Sequence, residues 1–219
     1  MCGRLNINNR QSIYELISMF TEDVIEHADI RYNVSPGASL TAMYRDDRTH
    51  AAAMHWGLIP LWAKPGSFSR PLINARAETI HEKPSFRNLI REHRCVVPVN
   101  GFYEWQRSES GKQPYHFTRR DAEVMLLGGI YHFNKQGQAE CCLITTAADE
   151  VMAPVHDRMP VVLAAEQVAD WLGTSDRSLL DDMMRPASDS VLDSQVVSRY
   201  VNRADNDGPQ CIEPLADSV

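Results

Sequence analysis

Two apolar runs joined by a short polar turn constrain the fold most. Val124 to Phe133 and Cys141 to Ala147 are the most apolar stretches in the chain, and Asn134-Lys135-Gln136-Gly137 connects them. Both read as strands, with glycine and polar residues marking the turn. Cys95-Val96-Val97-Pro98-Val99 is a buried strand candidate, and Phe102-Tyr103-Glu104-Trp105 is another after Asn100-Gly101. Ser108-Glu109-Ser110-Gly111-Lys112 reads as a hairpin loop leading to Tyr115-His116-Phe117. Upstream, Ser39 to Arg45 and His50 to Trp56 flank Asp46-Asp47-Arg48-Thr49, a strand pair with a tight connection.

Helical spacing is sparser. Ile13, Leu16, Ile17 and Phe20 recur at helical intervals in Gln11 to Phe20, with Asn8 or Asn9 as cap. Ser85 to Arg94 predicts a short helix with Phe86, Leu89 and Ile90 on one face. Glu166 to Leu172 and Leu179 to Met184 repeat that spacing, and Ser194 to Val201 reads as a final strand. Strands outnumber helices without regular alternation. The expected class is α+β: mostly antiparallel β, a curved or barrel-like sheet with short flanking helices. No repeat, low-complexity tract or linker interrupts the chain, so one domain over 1–219 is expected.

Composition narrows the setting. No apolar run reaches transmembrane length and no basic-then-apolar leader opens the chain, so a cytoplasmic protein is expected. Cys2, Cys95, Cys141, Cys142 and Cys211 form no Cys-x-x-Cys pair, and the eight histidines are scattered. No disulfide framework, metal or other cofactor is expected. The formal charge of −7 argues against a nucleic-acid partner. Its distribution weakens that objection: Lys64, Arg70, Arg76, Lys83, Arg87, Arg91 and Arg94 face only Glu78, Glu82 and Glu92 in one segment. That basic segment fits either a short polynucleotide or a solvated helix face.

The chain opens Met1-Cys2-Gly3-Arg4. Removal of Met1 would leave an α-amine and a thiol on adjacent carbons of Cys2. The amine titrates near 7.7–8.0 and is partly neutral at physiological pH; the thiol, near 8.5, is the strongest side-chain nucleophile once deprotonated. Against an aldehyde the amine forms a Schiff base, and the sulfur closes on the imine carbon to give a thiazolidine. The alternative is a Cys2 simply buried in a first strand.

Four further constellations stand out. Asn74-Ala75-Arg76 places an amide and a cation on one face if the segment is extended. Glu104 lies among Phe102, Tyr103 and Trp105, and period two gives it the same face as Phe102, where burial suits it to proton transfer. His156-Asp157-Arg158 between Pro154 and Pro160 is a titratable base with an acid and a cation beside it. Leu61-Trp62, in the irregular Gly57 to Pro71 loop, could wedge or stack against a base. Each also has a structural reading: loop hydrogen bonding, an outward charge, a turn, a core anchor.

Met1-Cys2-Gly3-Arg4, Arg31-Tyr32-Asn33-Val34-Ser35-Pro36-Gly37, Trp56-Gly57-Leu58-Ile59-Pro60, Asn74-Ala75-Arg76-Ala77-Glu78, Gly101-Phe102-Tyr103-Glu104-Trp105 and His156-Asp157-Arg158-Met159-Pro160 follow in this order. In these motifs the chain resembles the SOS response-associated peptidase (SRAP) family. The resemblance implies one mostly β domain and a covalent crosslink between mature Cys2 and the ring-opened abasic site of single-stranded DNA. Asn74 would hold the Cys2 end and the opened sugar, Glu104 would shuttle protons, and His156 would assist ring opening and release. Arg4, Arg76 and Arg158 would contact flanking phosphates, and Trp62 would meet a base. The family often has two aromatics in that loop; here the first position is Leu61. Single-stranded DNA with abasic sites, including strand junctions, is the implied partner, met by a monomer at the nucleoid. Two other readings use the same residues: a thiol peptidase built on Cys2, Glu104 and His156 that removes its own Met1, and a glutamine amidotransferase in which Asn100-Gly101 shapes an oxyanion site.

Overall fold

The computed structural model describes residues 2–23, 30–64, 66–108, 111–187 and 191–215. Met1, Pro65, Glu109-Ser110 of the expected hairpin loop and the acidic end of the C-terminal tail lie outside the described residues. Among the described residues, thirteen strands fall into two sheets. The larger is built from β3 (Ser39–Arg45), β4 (Thr49–Trp56), β5 (Asn74–Arg76), β6 (Arg94–Val99), β9 (Met125–Phe133), β10 (Ala139–Ala147), β11 (Arg158–Pro160) and β12 (Val162–Leu163). Within it β4 pairs β3, β3 pairs β6, β6 pairs β9, β9 pairs β10, and β10 returns to β4, closing a ring. The expected barrel is present. Closure uses parallel pairing: β10 runs parallel to β4 at Cys141↔Trp56 and to β5 at Leu143↔Asn74, within a sheet whose other pairings are antiparallel, in keeping with the mostly antiparallel class expected. Most of β9 and β10 is buried, because both faces of these strands are covered.

The second sheet has the order β13-β8-β7-β1-β2. Its strands are β1 (Leu5–Ile7), β2 (Arg31–Val34), β7 (Gly101–Ser108), β8 (Gly111–Arg119) and β13 (Leu192–Val196). Short β1 pairs on both edges, with Leu5 opposite Val34 and Phe102. Period two sorts the β7 side chains: Phe102 joins the main core, while Tyr103 enters a second cluster with Val197, Val201 and Cys211. Phe102 stacks on Phe117 with ring centroids 5.0 Å apart, an arrangement worth about 1 kcal/mol beyond its burial.

The flanking helices are short. α1 (Arg10–Ser18) is capped by Asn9, whose Oδ1 accepts from Ser12 N–H, and it buries Ile13 and Ile17. The helix expected over Ser85 to Arg94 contracts to α2 (Leu89–Glu92) because the chain from Ile80 to Asn88 forms turns. α3 (Val168–Gly173) buries Trp171, and α4 (Arg177–Met183) is capped by Asp176. Arg94, counted in the basic segment, is buried at the start of β6. Its guanidinium donates to the carbonyls of Trp171, Ile90 and Thr174, so it ties helix ends to the barrel. The strand expected over Ser194 to Val201 lies earlier: β13 ends at Val196, and Arg199–Asn202 is a 3-10 turn that begins a strap over the second sheet.

Gly101 makes a close approach. A Cβ there would stand 2.5 Å from the Phe117 carbonyl oxygen and 2.6 Å from His116 Nε2. Gly101→Ala is expected to lower stability by about 1–3 kcal/mol, the range for overpacking, read as a lower urea midpoint at unchanged slope. His116 is buried, with its ring 4.9 Å from Tyr103 and its Nε2 accepting from Asn6 Nδ2 at 3.1 Å. Burial pushes its pKa down to about 4. The unfolded histidine titrates near 6.5, so between those values the unfolded chain binds a proton that the folded chain does not. Stability therefore falls as pH drops through that window, by up to about 3 kcal/mol from this group. Urea titrations across the window should show that fall in the wild type and a smaller one in His116→Gln.

Candidate functional site

β1 carries the chain start inward. Tyr103 N–H donates to the Arg4 carbonyl at 2.9 Å, which extends the β1–β7 ladder to the residue before β1 and sets Cys2 near Glu104. Cys2 is buried, with 1% of its surface exposed. Desolvation raises its thiol pKa well above the ordinary value, the Glu104 carboxylate raises it further, and the Arg4 backbone N–H partly opposes them. The sulfur is held as a thiol at neutral pH.

Asn74 opens β5, which the parallel pairing to β10 places at the barrel rim. Its Nδ2 donates to the Cys2 carbonyl at 2.8 Å. Its Oδ1 is buried with no hydrogen-bond partner among the described residues. Ala75 is buried and Arg76 exposed, the alternation that keeps Asn74 and Arg76 on one face. Glu104, on β7, is 5% exposed and lies on the side of Phe102. The structure thus joins Cys2, Asn74 and Glu104 from three separate stretches.

His156 lies in the connection from β10 to β11. Asp149 Oδ1 accepts from Met152 N–H at 2.7 Å, and His156 N–H donates to the Met152 carbonyl at 3.0 Å, which folds this connection into a compact turn. Gln106 Nε2 donates to the Pro154 carbonyl at 2.9 Å. Gln106 is two residues past Glu104 on β7, so the His156 turn is tethered to the strand and face that carry Glu104. His156 Nδ1 lies 3.0 Å from the Arg158 backbone nitrogen and 3.0 Å from Asp157 Oδ1, a donor and an acceptor that meet at one ring nitrogen.

The expected phosphate-contacting residues stand in different states. Arg76 is exposed. Arg158 is largely buried: Nη1 and Nη2 pair with the Glu78 carboxylate at 2.5 and 2.9 Å, and Nη2 also donates to the Thr145 carbonyl at 2.6 Å. Glu78 titrates below its usual range because Arg158 bonds to it. Arg4 is half-buried and donates through Nη1 to Asn33 Oδ1 and the Val201 carbonyl. Trp62 is 61% exposed, meets Phe68 edge-on at 5.9 Å and lies beside exposed Leu61. Asn100 Oδ1 accepts from Asn9 N–H at 2.9 Å, so this amide anchors α1.

Gln106, Glu78 and Asn33 were not among the residues singled out from sequence. Gln106 follows the aromatic cluster directly, and Asn33 is an amide inside a strand; that polarity was the available signal.

A family model described as SOS response associated peptidase (SRAP) matches residues 1–204. YoqW of Bacillus subtilis, named an abasic site processing protein, is 33% identical over 232 residues, covering 97% of this chain and 99% of its own length. YedK of Escherichia coli, which carries the same description, is 32% identical over 232 residues, covering 98% of this chain and 100% of its own. A crystal structure of a protein from Bacteroides thetaiotaomicron superposes with a TM-score of 0.85 at 25% identity, covering 98% of this chain and 100% of that one. With its motifs in order and its length matched from end to end, the chain belongs to the SRAP family.

Proposed function

We propose that this chain processes abasic sites in DNA by joining the lesion covalently to Cys2. One observation carries the reading: a cysteine at the chain start lies in the interior, its carbonyl held by Asn74 at 2.8 Å and its sulfur in the field of Glu104. Family membership and the names of YoqW and YedK support the same substrate. The reactive form requires loss of Met1, by the chain itself or by an aminopeptidase.

In that form the α-amine of Cys2 attacks the aldehyde carbon of the ring-opened sugar. A C–N bond forms, the carbonyl oxygen takes a proton, and the nitrogen gives one up. Glu104 relays that proton to the oxygen, then takes the second nitrogen proton and delivers it to the hydroxyl, which leaves as water and produces the imine. The sulfur then adds to the imine carbon, its proton moves to nitrogen, and the ring closes as a thiazolidine. One water leaves overall. A sulfur kept as a thiol suits this order, because it avoids premature alkylation and supplies the final proton. Asn74 fixes the Cys2 carbonyl, and its Oδ1 accepts from the amine or from a sugar hydroxyl. His156 gives a proton to the sugar ring oxygen during opening and acts again in release. Single-stranded DNA is the partner in this reading, with Arg4 and Arg76 toward its phosphates and Leu61-Trp62 toward a base.

The peptidase reading draws less support. A thiol nucleophile needs a lowered pKa beside an imidazole, whereas burial and Glu104 raise that of Cys2. The anchoring of α1 by Asn100 likewise counts against an oxyanion role in amide transfer.

Incubation with an abasic single-stranded oligonucleotide should give a band that survives a denaturing gel. Cys2→Ala should abolish it. Glu104→Gln and His156→Ala should slow its formation or its reversal by about 100-fold, the scale of general acid–base catalysis, with binding largely retained. Equal adduct yields and rates from all four proteins would refute these roles. Blocking the amine with an N-terminal extension should abolish the band as completely as removing the sulfur; a tagged protein that crosslinks normally would exclude the amine.

A further inference from the structure

Arg4 has an unusual set of partners. Its Nη1 donates to Asn33 Oδ1 at 2.6 Å and to the Val201 carbonyl at 3.0 Å, and its guanidinium carbon lies 5.5 Å from the Trp105 ring centroid. All three are uncharged. Among the described residues no carboxylate pairs with Arg4, although the chain has a formal charge of −7. Arg158 and Arg48, by contrast, each engage a carboxylate.

Asn33 explains how this is maintained. It is fully buried at the end of β2. While Oδ1 accepts from Arg4, Nδ2 donates to the carbonyls of Asn206, Arg203 and Val201 at 2.7, 3.0 and 3.3 Å. Those carbonyls belong to the strap, 197–215, which crosses the second sheet. Val197 bridges Pro214, and Asp207 Oδ1 accepts from Tyr32 N–H at 2.6 Å. The strap also orients Trp105, whose Nε1 donates to Asn202 Oδ1 at 2.7 Å. One amide therefore connects strap, second sheet and guanidinium.

We infer that Asn33 and the C-terminal strap form a positioning device that holds the Arg4 guanidinium against Trp105 and leaves its charge uncompensated for a phosphate of the bound strand. The inference rests on the polynucleotide reading proposed above and deepens it: Asn33 is a positioning residue acting through Arg4. An amide is the side chain the device requires. An aspartate of the same shape would accept the same hydrogen bond but would neutralise the cation and lose the donors that hold the strap.

The test is binding of an undamaged single-stranded oligonucleotide across a salt series, which is independent of any adduct. Asn33→Asp, Asn33→Ala, Asn202→Ala and Arg4→Gln are compared with the wild type, each checked by its melting temperature. Arg4→Gln and Asn33→Asp should each lower the slope of log affinity against log salt by about 0.7, one phosphate contact on a single strand. Asn33→Ala should weaken binding several-fold while keeping the wild-type slope, since the charge remains. Asn202 is exposed, so its alanine variant should fold; it should also weaken binding without changing the slope. A merely structural role would give Asn33→Asp and Asn33→Ala the same slope, and that result overturns the inference. A wild-type slope in Arg4→Gln, or wild-type affinity in Asn202→Ala, overturns it too. A wild type that binds with this pattern yet forms no adduct would refute the covalent reading and leave the positioning device standing.

Discussion

The whole arrangement depends on β1 being paired on both edges. A three-residue strand at the start of a chain is ordinarily a frayed edge. Here it lies between β2 and β7, with Leu5 opposite both Val34 and Phe102 and the ladder continued by Tyr103 N–H to the Arg4 carbonyl. Interior pairing fixes the backbone of residues that would otherwise be mobile, and it carries Cys2 and Arg4 to set positions. Cys2 then lies within reach of Asn74 on the barrel rim and Glu104 on β7. In the proposed chemistry, a terminus held this firmly would present amine and sulfur in one geometry for addition to a single carbon.

The polar interior that surrounds this strand has one logic on each side. On the barrel side, Asn74 uses its donor and leaves its acceptor open; on the strap side, Asn33 uses both ends of its amide. Below them, Asn6 and His116 form a neutral pair packed under Tyr103, whose hydroxyl donates to the Tyr32 carbonyl at 2.7 Å. These amides satisfy long-range backbone groups without adding charge to a low-dielectric region. Among the described residues, Glu104 and Arg4 are charged groups near the chain start: one raises the pKa of the Cys2 thiol, and the other is held by Asn33 and the Val201 carbonyl.

Much of the fold was legible in the chain because local pattern and burial agree. The runs that became β3, β4, β6, β9 and β10 are apolar or alternating, and Asn9 caps α1 as a short polar residue before an apolar periodicity should. The misses share a cause. β1, β11 and β12 are too short to show a period, and β13 lies before Val197, which instead turns into the strap. The parallel return of β10 onto β4 and β5 depends on tertiary closure that no local pattern encodes. At the site, Cys2, Asn74, Glu104 and His156 were visible as residue types in dense motifs. The states of Arg4 and Arg158 were not, since their partners lie elsewhere: Asn33 and Val201 for one, Glu78 for the other. Arg94 looked like surface charge for the same reason.

The central claim concerns the chemistry of one residue, so intact and peptide mass spectrometry of the protein after reaction with an abasic oligonucleotide tests it most directly. The account predicts a protein lacking Met1, a conjugate equal to the sum of the two masses less one water, and fragmentation that places the sugar on the N-terminal cysteine through both nitrogen and sulfur. A conjugate on a lysine, or one formed by protein that retains Met1, would contradict it.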